Sequence, residues 1–147
     1  MRGWVVAALA LSMNTGWAGL GGQPANPGPR ARVAHAGASA AAPVAAYTDL
    51  ERQLESGTTI HEYVDANGVV FAVSWSGPYI PDLKELLGVH FDAMVEHAGK
   101  TARAGRSQLV LKRSDLVIVS GGHMGAFQGK AWLPAQLPAG FSPGDIK

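Results

Sequence analysis

Two neighbouring stretches, residues 58–64 and 69–75, are rich in β-branched and aromatic residues, and such a composition is typical of β-strands. An Asn67-Gly68 pair lies between them, and both residues tolerate the positive φ angles of a tight turn. The pattern therefore predicts a β-hairpin. Residues 47–54 favour a preceding strand, with residues 56–57 as its turn, although their charges leave a helix as an alternative.

Apolar positions recur with a helical period after Asp82, and charged side chains occupy the opposite side. Asp82 and Glu85 have the spacing of a capping box, with Asp in place of Ser or Thr. The pattern predicts an amphipathic helix that ends near Gly99 and packs against the sheet. Its apolar stripe consists of Leu83, Leu86, Leu87, His90, Phe91, Met94 and Val95.

Two short apolar runs, residues 109–111 and 116–119, predict two further strands with residues 113–115 between them. Another strand is expected within residues 124–133. The tail that follows carries three prolines, so it cannot continue as a central strand. The order of strands, helix and strands favours an α+β fold: a largely antiparallel sheet of two β-meanders with the helix packed on one face.

The N-terminus has the pattern of a secretory signal peptide. Arg2 provides a positive charge, residues 4–13 form a short apolar run, and Gly16 and Ala18 are small residues at the expected cleavage site. An apolar run this short does not span a bilayer, which needs about 20 residues. We expect removal of residues 1–18 and export to the periplasm or the exterior. The alternatives are an uncleaved anchor and a buried hydrophobic segment.

Residues 19–46 are rich in alanine, glycine and proline and contain no aromatic side chain. Such a composition buries too little apolar area to offset the entropy of ordering the chain. We therefore predict a disordered spacer at 19–46 and a single domain at 47–147. Arg30 and Arg32 leave open a basic arm that contacts an anionic surface.

Composition narrows the possible functions. The chain has no cysteine, which excludes a disulfide framework, a thiol nucleophile and Cys-ligated zinc. The net charge is only +1, and no basic cluster is present, so nucleic-acid binding is not favoured. No apolar stretch after the signal peptide is long enough to predict a transmembrane segment in the mature chain.

Two stretches resemble an uncharacterised family of exported bacterial proteins known only as a domain of unknown function. They are SGTTIHEYVDANGVVFAVSWSGPYIPDLKELLG and SDLVIVSGGHMGAFQGKAWLPAQLPAG, and the likeness covers about residues 58–140. Members of that family resemble this chain in having a signal peptide, an AGLGG-like junction (here residues 18–22) and an Ala/Pro spacer. The resemblance implies an envelope or secreted location. It implies no activity and no catalytic residues.

His123 lies within a glycine-rich stretch and is the first candidate for chemistry. A general base needs a nucleophile and an orienting acid, and the nearest are Ser120 and Asp115. The competing interpretation is a bend, in which Gly121 and Gly122 adopt positive φ angles and the histidine bonds to the backbone. We favour the bend.

The other candidates are weaker. His61, His90 and His123 form a metal site only if the fold brings them together. His61-Glu62 lacks the second histidine of the zinc-protease motif, because position 65 is Asp. Four aromatic residues are candidates for a binding groove, although aromatic side chains are more often core: Trp75, Tyr79, Phe127 and Trp132.

The sequence thus identifies no cofactor and no complete catalytic set. It favours a non-catalytic exported module that binds or assembles with an unidentified envelope protein or ligand. The alternative is a small envelope hydrolase or metal-dependent enzyme centred on His123.

Overall fold

The computed structural model describes residues 19–24, 31–32, 47–101 and 108–147. The predicted signal peptide and most of the predicted spacer lie outside these residues. The described chain forms one seven-stranded antiparallel sheet in the order β1-β2-β3-β4-β7-β6-β5. The strands are β1 (Ala31–Arg32), β2 (Tyr47–Gln53), β3 (Thr59–Asp65), β4 (Val70–Gly77), β5 (Leu109–Lys112), β6 (Val117–His123) and β7 (Ala126–Trp132).

The predicted first hairpin is confirmed. Strands β3 and β4 are antiparallel neighbours, and Gly68 in the turn between them has a φ of 82°. The Asp65 carboxylate accepts hydrogen bonds from the backbone N–H groups of Asn67 and Val69, which fixes the turn. Residues 47–53 form a strand and not the alternative helix, because they pair along their whole length with β3.

The predicted helix is present but interrupted. Helix α1 (Leu83–Leu87) leads through a 3₁₀ turn (Gly88–His90) into α2 (Phe91–Thr101). Asp82 caps α1 as expected, since its side chain accepts from the N–H groups of Lys84 and Glu85. A 3₁₀ turn rotates about 120° per residue where an α-helix rotates about 100°, so the stripe does not continue in one phase. Val95 is accordingly exposed.

The second meander is also confirmed, with β5, β6 and β7 as consecutive antiparallel neighbours. Strand β7 pairs with β4 and so joins the two meanders into one sheet. The predicted α+β class, with an antiparallel sheet and the helices on one face, is therefore correct. On the edge strand β5, His97 Nε2 of α2 lies 3.0 Å from the carbonyl oxygen of Val110.

The sheet has two faces, each with its own apolar cluster. The helical face packs against α1 and α2 through residues such as Ile60, Trp75 and Ile118. The opposite face, here called the tail face, is partly covered by the C-terminal tail (residues 133–147), whose Phe141 packs on Tyr63. The register shifts at Tyr63/Val64, so β4 has an extra residue, and this bulge turns Phe71 toward the aromatic residues of the tail face.

The structure differs from the predicted spacer at residues 19–24, here called the N-terminal segment. Leu20 is only 2% exposed and belongs to the cluster on the helical face. Its N–H donates to the carbonyl oxygen of Leu86, and Gly21 and Gly22 exchange backbone hydrogen bonds with Val70. The N-terminal segment has few apolar residues, but one of them, Leu20, is part of the core. The two residues of β1 also lie within the predicted spacer, and they pair with β2.

No helix in the described ranges is long and apolar enough to cross a membrane.

Candidate functional site

A polar cluster is embedded in the tail face, where strands β2, β3 and β4 lie side by side. Strand alternation places its side chains on this face, since Asp49 pairs with Tyr63 and His61 pairs with Ser74 in the ladders. Lys147 joins them from the tail. We call these five residues the tail-face cluster.

The cluster is organised around a buried carboxylate. Asp49 is 4% exposed, its Oδ1 lies 2.8 Å from His61 Nδ1, and its Oδ2 accepts from Lys147 Nζ at 3.3 Å. The hydroxyl of Tyr63 accepts a hydrogen bond from the backbone N–H of Lys147 at 3.0 Å. Both polar ends of Lys147 are therefore held by residues of the sheet.

The electrostatics of the cluster follow from these contacts. Burial opposes ionisation of Asp49, but the hydrogen bonds and charges of His61 and Lys147 outweigh it, so the pKa of Asp49 lies below its ordinary value. Burial raises the pKa of Tyr63, so the phenol stays neutral at physiological pH. The Asp49 carboxylate is therefore the fixed negative charge to which the tail is attached.

Asp49, His61 and Ser74 superficially have the composition of a catalytic triad, but their geometry does not fit one. Ser74 lies beside Tyr63, yet its Oγ makes no hydrogen bond of acceptable geometry within the described chain. The serine is also only 1% exposed. Across the ladder, Lys130 donates to two carbonyl oxygens of the tail, at Pro143 and Ile146. The cluster thus fastens the tail to the sheet.

His123 lies at the last position of β6, next to the two-residue turn Met124-Gly125 that leads into β7. Its Nδ1 lies 3.1 Å from the carbonyl oxygen of Met124. Gly125 has a φ of 87° and Gly122 a φ of 132°. A Cβ on Gly122 would lie 2.2 Å from the carbonyl oxygen of Ala126, so the chain requires glycine there. The φ of Gly122 and the backbone contact of His123 fit the bend interpretation, but Gly121 lacks the positive φ expected of it and lies within β6, and the turn itself is Met124-Gly125.

The structure does not bring Ser120 and Asp115 to His123. Ser120 and His123 are three residues apart in a regular strand, so their side chains point to opposite faces of the sheet. Asp115 lies beyond the other end of β6, where Arg113 donates to its carboxylate at 3.0 Å and 3.2 Å. The constellation required for the His123-centred enzyme is therefore not assembled.

The three histidines proposed for a metal site also stay apart. His61 and His123 are separated by three strand spacings, about 14 Å, and by four residues along the strand, about 13 Å. His90 lies in the 3₁₀ turn of the helical layer. Within the described residues, no three histidine or acidic side chains are placed to hold a metal ion.

The four candidate aromatic residues lie on both faces of the sheet and not along one groove. Trp75 is buried on the helical face, where a Cβ on Gly129 would meet its ring at 2.2 Å. Trp132 packs with the tail-face aromatic residues. Tyr79 is 63% exposed in the loop after β4, and Phe127 is half-buried on β7.

Two of the open concavities on the described surface lie near the residues discussed above. One, of about 270 Å³, lies on the tail face beside the C-terminal tail. We call it the tail-face trough, and it is lined by Gln108, Val119, Gly121, Gln128, Gly129, Lys130, Ile146 and Lys147. The other, of about 420 Å³, surrounds the β6–β7 turn and includes His123 and Phe127.

Sequence reasoning missed the tail-face cluster and the trough. The alternation of side chains along β2 and β3 predicts which face of its strand Asp49 occupies and which face His61 occupies. A sequence-based prediction could therefore have used it. The pairing of Lys147 with Asp49 joins residues 98 positions apart, and no local pattern indicates it.

Comparison with known proteins gives one match. No curated protein and no solved structure matches the chain. A family model described as "Protein of unknown function (DUF2844)" matches residues 16–146. Since this match covers most of the chain, the protein belongs to the DUF2844 family, as the two sequence stretches around the first hairpin and the glycine-rich turn predict.

Proposed function

We propose that this protein is an exported, non-catalytic binding or assembly module and that the tail-face trough is its binding surface. One observation carries the proposal: the tail covers the β2–β4 side of this face and reaches Lys130 and Trp132 of β7, while an open concavity remains beside it over Val119 and Gly121 of β6. Val119 is only partly buried there, and Val110 is 39% exposed.

The composition of the trough suits a partner surface. One face of an antiparallel sheet is commonly solvated, and that face is then mostly polar, whereas here Val119, Gly121, Gly129 and Ile146 are among the lining residues. A glycine in a strand permits close approach of another backbone. Gln108 and Gln128 add amide donors and acceptors along the rim. This combination of an apolar floor and a polar rim resembles the anatomy of protein interfaces.

The histidines support a role without catalysis. His61 is engaged with Asp49, and His123 contacts the backbone of its own turn. A general base needs hydrogen-bond reach to a nucleophile, and neither histidine is hydrogen-bonded to a hydroxyl within the part of the chain that the structure describes. Both side chains therefore make structural contacts in the folded domain.

The signal-peptide pattern of residues 1–18 supports export. The test is N-terminal sequencing of the protein purified from cells, together with fractionation of the envelope and the medium. We expect the sequence to begin at Gly19. A stable product that retains residues 1–18 would contradict cleavage, and a cytoplasmic product would contradict export.

Binding can be tested by site-specific crosslinking, because the chain contains no cysteine. A photoreactive group on Gln128→Cys lies at the trough, and the same group on Asp92→Cys lies on the exposed side of α2. We expect an adduct with an envelope component from the first position only. Equal adducts from both positions would indicate non-specific capture and would refute the trough as the binding surface.

A matched pair of charge substitutions provides a second readout. Val119→Lys places a cation on the floor of the trough, whereas Val89→Lys adds the same charge at a 61% exposed position of the helical layer. Val119→Lys should abolish the Gln128 adduct, and Val89→Lys should preserve it. Retention of the adduct in both variants would contradict the proposal.

A further inference from the structure

The N-terminal segment begins at the predicted cleavage site and is folded into the domain from its first residue. Gly19 N donates to Gln23 O at 2.9 Å, and Gly22 N donates to Gly19 O at 2.9 Å, so the segment closes into a turn. Leu20 N donates to Leu86 O at 2.9 Å. The leucine side chain fills a place in the core of the helical face.

The backbone at the end of α1 leaves no room for a side chain at Gly19. It is buried with a φ of 109°, and a Cβ there would lie 2.4 Å from Glu85 O and 3.0 Å from Leu86 O. Any other residue would both strain the backbone and collide with the end of α1. The segment is joined further on by a two-way backbone exchange, in which Gly21 N donates to Val70 O at 2.8 Å and Val70 N donates to Gly22 O at 2.9 Å.

This docking affects access to the peptide bond on the amino side of Gly19. Proteases act on chain that is exposed and free of tertiary contacts, and a bond within folded structure is cut only from an opened state. With the segment docked, the residues that follow the bond form a turn with a buried leucine, and a protease cannot hold them as an extended chain.

We propose that the docked N-terminal segment shields the Ala18–Gly19 bond, so that processing there is completed before the domain closes over Leu20. The proposal rests on the proposed export and adds to it an order of events: cleavage first, docking second. The mature domain then holds its own new N-terminus inside its structure.

The shielding can be measured without the export machinery. The recognition sequence of a protease that cuts before glycine is inserted between Ala18 and Gly19 of the full chain. In the matched control, a flexible Gly/Ser spacer separates the same recognition sequence from Gly19. Since cleavage of the directly joined site waits for the segment to open, we expect it to be at least about tenfold slower than cleavage of the spaced site.

Leu20→Ala should remove most of the difference. It should accelerate cleavage of the directly joined site by about 25-fold, or by less if the rate first reaches that of the spaced site. A factor of about 25 corresponds to a loss of about 2 kcal/mol at a buried leucine. The spaced site should be unaffected. If Leu20→Ala does not fold, the milder Leu20→Val should give an intermediate acceleration.

The outcomes separate the two proposals. Equal cleavage of the directly joined and spaced sites in the folded wild-type chain would overturn the shielding, whatever the location of the protein. A cytoplasmic product in the fractionation experiment would overturn export and would leave this cleavage comparison unchanged.

Discussion

Leu20→Ala gives a direct test of the N-terminal segment. The predicted spacer at residues 19–46 implies no effect on stability, whereas the structure places a 2% exposed leucine in the core of the helical face. Full burial of a leucine contributes about 1.5–3 kcal/mol. Truncation to alanine in a core adds the cost of a cavity, which brings the loss to about 2–5 kcal/mol.

The lower end of that range applies here because the leucine is carried by a short segment that can move inward. A loss of about 2 kcal/mol corresponds to a decrease of about 8–16 °C in Tm, at about 4–8 °C per kcal/mol for a domain of this size. Thermal and urea unfolding of the mature chain measure it. The control is Val89→Ala, since Val89 is 61% exposed in the helical layer and should change Tm by only a few degrees.

A decrease below about 4 °C for Leu20→Ala, with a similar value for Val89→Ala, would refute the docking. The segment would then be a spacer in solution, as its composition suggests. Deletion of residues 19–24 should destabilise the domain at least as much as Leu20→Ala, because it also removes the backbone hydrogen bonds to Val70 and Leu86.

Three further outcomes are expected. Gly122→Val should lower the free energy of unfolding more than His123→Ala, which should change it by no more than about 1 kcal/mol; the reverse order in urea unfolding would contradict the bend. Burial lowers the pKa of His90 below 6.5, so the unfolded chain binds the proton more readily and stability should fall as pH decreases through 6.5. His90→Gln should flatten that part of the pH profile, and an unchanged profile would exclude His90 as its source. Gly129→Ala should cost about 1–3 kcal/mol and change the tryptophan fluorescence, because the added methyl collides with Trp75; unchanged emission and stability would show that the ring is free to move.

Local chemistry made much of the fold predictable. The Asn67-Gly68 turn and the Asp82 cap both depend on interactions within a few positions of the chain. Such interactions leave a readable pattern, because turn residues and capping residues have few substitutes. The class of the fold follows from the order of these elements.

The remaining features depend on which distant residues meet. The two meanders form one sheet because β7 pairs with β4. No sequence pattern in either strand indicates which strand it pairs with. Leu20 is a single apolar residue among glycines, and its burial depends on a gap beside Leu86 that only the assembled helical layer creates. The position of Lys147 over Asp49 is non-local in the same way.

These long-range contacts have a consequence for the time course of folding. Leu20 meets Leu86, and Tyr63 meets Lys147 across 84 positions. Chains rich in such non-local contacts fold slowly, because a long loop must close before its contacts contribute. In a chain emerging N-terminus first, the helices that cover the helical face directly follow the first meander, but the tail face stays uncovered until the last residues arrive. During that interval the apolar cluster of the tail face is exposed, and the nascent sheet is most prone to aggregation.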